Sequence, residues 1–467
     1  MKLTSHLPRV SEPTTDTKSA VRPQSDPFQK LAFTVIWIYI FLLLSRFTEF
    51  VDTNNHVHLV FVMGIAAAIA TVVTGGLLRA LSSPIGLWLC AFTAWLTFEL
   101  PFSSWRGGSF HGLVDTWLKS FATYILVAGL LFTVSQVRVA ALSCSLATLF
   151  IVAVTLYSGV EAVADDRLSF ESGTLGNAND LAAQLVLGLP FLLYFALGKK
   201  QNIFFRAIAL LAIPPLLYVV LKTGSRGALL AIGILCLVYF WKMPGIQKAF
   251  FGVILIIGVA TAPFLLPDNV KERYKTMISR NPAATLSASA ASAIESEEAR
   301  RELLIHSFQL TAAHPIFGVG LGQFADASAL LSISAGKAAM WHPAHSFLLL
   351  ILAETGIPGL FLYAGTLWMC FRSLLRLRKA SKKNPSLVHI YELAFSLLMV
   401  LLGFSVCSMF TTNAYTFHFP MIAGFIAAFA RSAKVEVAAA EPALETVSAP
   451  WLPAPRKPTP LRPLTSA

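Results

Sequence analysis

The sequence predicts an all-α polytopic membrane protein with about twelve transmembrane helices and one long extracytoplasmic loop. Three observations carry this. Of 467 residues, 56% are hydrophobic and only 13% charged. The mean hydropathy is +0.67, more apolar surface than a soluble chain of this size can bury. The apolar residues also fall in runs separated by polar loops whose charge alternates.

Residues 1–30 are polar, with scattered Pro, Lys and Arg. They lack the apolar core of a cleaved signal peptide, so they read as a cytoplasmic tail, with Leu31 opening a retained span. Apolar runs then follow at roughly 31–50, 57–76, 84–101, 117–134, 138–157, 180–197, 204–221, 227–241 and 249–266, the first nine spans. A long loop occupies 267–341. Three more runs, at 346–371, 392–412 and 417–430, complete a second block over 342–430. Residues 431–467 are Pro- and Ala-rich and read as a disordered cytoplasmic tail.

Orientation follows from the loops. With the N-terminus inside, the inner loops carry Lys199, Lys200 and Arg206, then Lys242 and Lys248, then Arg372, Arg376, Arg378, Lys379, Lys382 and Lys383. The short outer loops are poor in Lys and Arg, and 158–178 is acidic. This positive-inside pattern puts both termini in the cytoplasm and the long loop outside. The net charge of +12 then belongs to loops facing anionic lipid, with no nucleic-acid partner. The five cysteines lie in or at the ends of apolar runs and read as packing residues. Within the long loop, 281–294 is Ala/Ser-rich and predicts a flexible segment. Residues 296–313 show a helical period, and a Gly-rich turn follows His314 and Pro315.

The stretch WHPAHSFLLLILAETGIPG, residues 341–359, joins two histidines to an apolar run and then to a helix breaker. Beyond the breaker only 357–371 is apolar, a rise of about 22 Å against a hydrocarbon core of ~30 Å. The span therefore borrows length from the His345 side, with the break inside it. That sets His345 at the membrane surface, in the first turn of a helix that Pro343 helps to start. A helix N-terminus favours a bound anion and holds a nearby imidazole neutral, ready to accept a proton.

Arg167, Arg226, Arg300 and Arg301 lie outside, against the positive-inside trend. Arg226 sits in a tight turn between two spans, where a guanidinium needs a partner that phosphate matches well; snorkelling to lipid headgroups is the competing reading. Arg167 has acidic neighbours and a local ion pair as its alternative. Arg300 and Arg301 open the amphipathic helix, where a solvated face accounts for at least one of them. His342 and His345 are three apart, but no third ligand stands nearby, and no metal is expected. No Asp-x-Asp pair suggests a metal-dependent sugar-nucleotide transferase. Gly318, Gly320 and Gly322 follow no strand and do not make a nucleotide loop. Glu354 lies in the membrane, where an ionisable group is functional or paired with an arginine.

His345, Ser346, nine residues, then Gly356, Ile357, Pro358 and Gly359 fit the pattern H-[NSQ]-x9-G-x-x-[GTY], which resembles the O-antigen ligase/O-antigen polymerase superfamily. The segment Thr223–Gly227 and the placement of Arg300 fifteen residues before Pro315 resemble it as well, so the likeness covers roughly 165–430. It implies a metal-independent glycosyltransferase of the bacterial inner membrane, acting on the periplasmic face and needing no cofactor. The donor would be a glycan on undecaprenyl pyrophosphate and the acceptor a hydroxyl of lipid A-core or another glycan, among membrane lipids. His345 would be the catalytic base. Arg226, Arg167 and Arg300 would bind pyrophosphate, with Glu354, Gly356 and Gly359 in support. An O-antigen or exopolysaccharide polymerase and a protein O-oligosaccharyltransferase share these features. Ala178 and Leu237 stand where polymerase-type loops starting at Arg167 and Arg226 would place glycine, which tilts the reading to a ligase. A lipid-linked glycan transporter fits less well, because the polar candidates gather at one face and not at midplane.

Overall fold

A long apolar segment in lipid must satisfy its own backbone hydrogen bonds, so each run is driven to a helix. The computed structural model describes residues 27–51, 58–158, 161–162, 167–170, 175–199, 201–275, 288–339 and 341–448. In chain order the helices are α1 Pro27–Ser45, α2 Phe47–Val51, α3 Leu59–Val73, α4 Gly76–Leu81, α5 Pro84–Glu99, α6 Arg106–His111, α7 Leu118–Leu130, α8 Val134–Ser158 and α9 Ala178–Leu197. They continue as α10 Ile203–Lys222, α11 Arg226–Lys242, α12 Gly245–Leu265, α13 Asp268–Lys275, α14 Ala288–Ala313, α15 Phe324–Ser334, α16 Phe347–Ser381, α17 Val388–Ser408 and α18 His418–Ser448. Among the described residues, the strands are a two-rung antiparallel pair, β1 Glu161–Ala162 with β2 Arg167–Leu168.

Every one of the twelve apolar runs falls on a helix. Among the described residues, eight helical segments are long and apolar enough to cross a membrane: α1, Pro84–Phe102, Arg106–Leu130, Val134–Tyr157, α9, α10, α16 and Pro385–Ser408. α7, α9, α16, α17 and α18 pack on one another at the centre, around fully buried Tyr124, Phe191, Tyr363 and Phe419. The outward faces stay apolar: Leu211, Leu237, Trp241 and Phe264 are exposed, as suits a hydrocarbon solvent.

Segment 267–341, expected to be a long loop with an amphipathic helix, holds α13, α14 and α15. The sequence reading needs correction in two places. The expected helix at 296–313 begins earlier, at Ala288, because Ala-rich sequence propagates a helix once one is anchored; the rest of the stretch expected to be flexible, 281–287, lies outside the described residues. The tail expected to be disordered from 431 is helical to Ser448. His389 meets Glu436 at 2.8 Å, and Val437 and Ala440 pack against the core. Residues 449–467 lie outside the described residues, as does the 1–26 part of the N-terminal tail.

α16 is interrupted where the sequence predicts. Gly356 has φ 69°, ψ −174°, outside the helical region. Pro358 has no N–H to offer Glu354, so the break leaves carbonyls unpaired. The turn at 315–320 fills the gap. Val319 N donates to Ala353 O at 2.9 Å and Gly320 N to Glu354 O at 2.9 Å, while Ile357 N donates to Pro315 O at 2.9 Å. Trp95 Nε1 of α5 takes the third carbonyl, Thr355 O, at 2.9 Å. The approach is so close that a Cβ on Gly356 would strike the Ile316 backbone, and one on Gly318 the Glu354 backbone. Phe317 then stacks on Phe102, with ring centroids 4.0 Å apart, locking the turn to the end of α5.

This geometry gives a test. Gly356→Ala adds left-handed strain and a backbone clash, and should cost upwards of about 2 kcal/mol. Most of the variant should be lost to aggregation on detergent extraction. Gly233→Ala, in α11 with nothing within 4 Å of the added carbon, serves as the control and should extract and melt like the parent. Equal melting temperatures for the two variants would contradict the stitched break.

Candidate functional site

Three elements bring basic side chains to the end of the molecule where α16 begins. The first is the turn between α10 and α11. Thr223 Oγ1 donates to Val220 O at 2.6 Å and accepts from Ser225 N at 3.3 Å, and Gly224 takes φ 62°. The chain reverses within three residues, leaving Arg226 as the first residue of α11. A Cβ on Gly227 would meet Phe410, so the turn sits tight against the end of α17.

The second element is α14, which packs on α16. Leu303 and Leu310 are its buried face. His306 Nδ1 lies 2.8 Å from buried Ser328 Oγ of α15, and Glu302 meets Lys337 at 2.7 Å. These contacts fix the rotation of α14. Glu297 and Arg300, three apart, share a face, and Arg226 Nη1 reaches Glu297 Oε2 at 3.3 Å. Arg300 is largely withdrawn from solvent near Arg226. Its pKa is lowered, first by burial and then by the charge of Arg226, with Glu297 opposing. Arg301 is exposed on another side of the helix.

The third is His345. It does not lie in the first helical turn, as the sequence suggested. Ser346 is the N-cap and Phe347 the first helical residue, so His345 lies in the bend that leads into the helix, between buried Ala344 and Phe347. Burial, then the Arg300 charge, then His342 push its pKa down to about 4. The imidazole is neutral at pH 7. Arg226, Arg300 and His345 thus converge from three elements, with Glu297 as the carboxylate facing them.

Arg167 sits on β2, which lies against α10; its side chain lies outside the described residues. Glu354 has no arginine partner. It is buried, its Oε1 accepts from Phe324 N at 3.1 Å, and the Gly322 backbone and the Tyr415 hydroxyl also face its carboxyl group. It therefore caps the start of α15 and secures the Gly-rich turn. Gly359 lies so close to Thr355 and Trp95 that a side chain would not fit. Among the described residues, no three His, Cys, Asp or Glu side chains group as a metal site.

Three participants went unnoticed in the sequence. Glu297 pairs with Arg226 across the fold, a contact no local pattern shows. Trp95 holds the third carbonyl of the break. Glu99, fully buried with neither carboxyl oxygen paired, stands within electrostatic reach of Glu354. A lone carboxylate in an apolar run was its signal.

Fold and site together define an all-helical, polytopic membrane protein with a cationic, imidazole-bearing cluster at one end of its helices. Residues 207–364 match the family model described as O-Antigen ligase. The matched segment contains Arg226, Arg300, His345, Glu354, Gly356 and Gly359, and excludes Arg167. No curated protein matches the chain.

The depressed basicity of His345 can be checked by peptide-resolved ethoxyformylation, which modifies only neutral imidazole. At about pH 5.5 an ordinary histidine of pKa near 6.5 keeps about a tenth of its neutral-pH reactivity. His345 should keep nearly all of it. In Arg300→Gln the midpoint should rise, because a like charge is removed. An ordinary midpoint unmoved by that substitution would show that Arg300 and His345 do not share a site.

Proposed function

We propose that this chain is an O-antigen ligase-type glycosyltransferase of the bacterial inner membrane. It transfers a glycan from undecaprenyl pyrophosphate to an acceptor hydroxyl, that of lipid A-core, on the periplasmic face. The observation that carries the reading is the convergence of Arg226, Arg300 and His345 within the segment that matches the O-antigen ligase family. In this reading all twelve apolar helices cross the membrane, both termini are cytoplasmic, and β1–β2 and α13–α15 lie in the periplasm.

The chemistry follows from charge. Pyrophosphate is a good leaving group, so the reaction needs positioning, neutralisation of developing negative charge, and a base. Arg226 offers a planar fork to phosphate oxygens, and Arg300 adds a second charge. Arg167 joins them from the β1–β2 hairpin beside α10. These cations do the work that a divalent metal does in other transferases, so the reaction is metal-independent. In the free protein Glu297 partners Arg226, and the incoming pyrophosphate takes its place. The acceptor oxygen bonds to the anomeric carbon as the carbon–oxygen bond to pyrophosphate breaks, its electron pair leaving on the phosphate. His345 receives the hydroxyl proton.

The low pKa of His345 then becomes a device of order. An imidazole of pKa about 4 is a weak base, and efficient bases sit near the working pH. Bound pyrophosphate offsets the field of Arg300 and raises His345 towards neutrality. The donor therefore prepares the base before the acceptor arrives.

A deletion strain tests the function. It should show bare lipid A-core, with long glycan accumulating on the lipid carrier. His345→Ala should look the same, since loss of a general base costs on the order of 10²–10⁴ in rate. Core capped by one repeat, with no long chains on the carrier, would replace the ligase by a polymerase. An intact lipopolysaccharide ladder with glycan lost from proteins would point to a protein glycosyltransferase.

A further inference from the structure

A second cationic site lies at the other end of the helices. A cavity of about 240 Å³, lined by Arg79, Ser82, Ser83, Ser373, Arg431 and Lys434, opens between α4, α5, α16 and α18. Ser373 lies roughly 39 Å along α16 from Phe347, at 1.5 Å per residue, so this cavity is separate from the His345 cluster. Its volume far exceeds what one trapped water needs.

The two arginines are held in place by backbone. Arg79 donates from Nη1 to Thr74 O at 2.6 Å and from Nη2 to Gly129 O at 3.0 Å. Arg431 donates from Nη2 to Ala128 O at 2.9 Å and Leu131 O at 2.7 Å. These carbonyls end α3 and α7, so helix capping explains part of each guanidinium. It does not explain both charges. A helix C-terminus carries about half a negative charge, so the ends of α3 and α7 together offset about one of the two guanidinium charges, and Lys434 lines the same cavity. No carboxylate pairs with any of the three among the described residues. Arg79 Nε and Arg431 Nη1 are buried with no acceptor. The N-terminus of α5, capped by Ser83, turns its positive end to the same space. Every charged residue that lines the cavity is positive, and two buried donors have no acceptor.

We propose that this cavity binds a phosphate-bearing anion, either the phosphodiester of an anionic lipid headgroup or free phosphate. An oxygen anion satisfies the two orphan donors and cancels the repulsion between the guanidinium groups. Exposed Lys434 guards the mouth. The site ties α3, α5, α7, α16 and α18 together at the end where, by the positive-inside reading, anionic lipid faces the protein.

The test uses the full-length protein in phosphatidylcholine nanodiscs, with phosphatidylglycerol added to the bilayer in one arm and inorganic phosphate to the buffer in the other. Melting temperature and lipid retained in native mass spectrometry are read in both. A rise with phosphatidylglycerol alone, and one such lipid retained, assigns the site to a headgroup. A saturable rise with inorganic phosphate assigns it to the free ion. Arg431→Gln should weaken either response on the order of tenfold or more, as expected for a lost charge-assisted contact. Because Arg431 also caps α7 and its loss can impair folding, Lys434→Gln, which removes no hydrogen bond within the chain, provides an independent reading in the same direction. No response to either anion, or a response that survives in both variants, overturns the proposal.

Discussion

Backbone carbonyls cannot be left unpaired inside a protein that spans lipid, and the break in α16 creates three of them. Each unpaired buried carbonyl costs about 1–3 kcal/mol. Val319 N, Gly320 N and Trp95 Nε1 supply what is missing. The rest of the candidate site depends on this repair. It pulls the end of α14 and the following turn into the helix break, and so sets Arg300 near the start of α16. It brings α5 to the same place through Trp95 and Phe102. Glu354 fastens α15 from within the break. A break that a soluble helix would leave to water here becomes the junction of four elements.

The second organising feature is electrostatic. Around His345 the fold gathers positive charge, with exposed Glu297 as the carboxylate that meets Arg226. The buried carboxyls, Glu99 and Glu354, lie within electrostatic reach of each other. Arg300 lies largely withdrawn from solvent near Arg226, beside an imidazole that burial and the Arg300 charge keep neutral. The cavity at Arg79 and Arg431 repeats the pattern at the other end of the helices, with capped guanidinium groups and unspent donors.

Much of this was legible in the sequence, for identifiable reasons. Apolar runs have one low-energy outcome in lipid, and eight helical segments among the described residues are long and apolar enough to cross a membrane. Gly224 and Gly356 marked a turn and a break because only glycine adopts their backbone angles cheaply. What failed depended on distant contacts. The Ala/Ser-rich start of α14 has helical propensity but no apolar face, so its order comes from the residues that anchor it further on. The end of α18 past residue 431 is held by His389, Val437 and Ala440, none of which a local pattern reveals. The pairing of 315–320 with 353–357 joins segments too far apart for any periodicity. His345 fell outside its expected helix, whose backbone turns helical only after extended Ser346. Glu99 was visible as a carboxylate in an apolar run and was passed over.

The central claim is that the turn before α11, helix α14 and the start of α16 form one pyrophosphate site. The most direct measurement is a structure of the protein with an undecaprenyl-pyrophosphate-linked glycan bound. The account predicts phosphate oxygens within hydrogen-bond distance of both Arg226 and Arg300, Glu297 released from Arg226, and His345 facing the anomeric carbon side. Pyrophosphate bound elsewhere, with the Arg226–Glu297 pair intact and His345 away from the sugar, would contradict it.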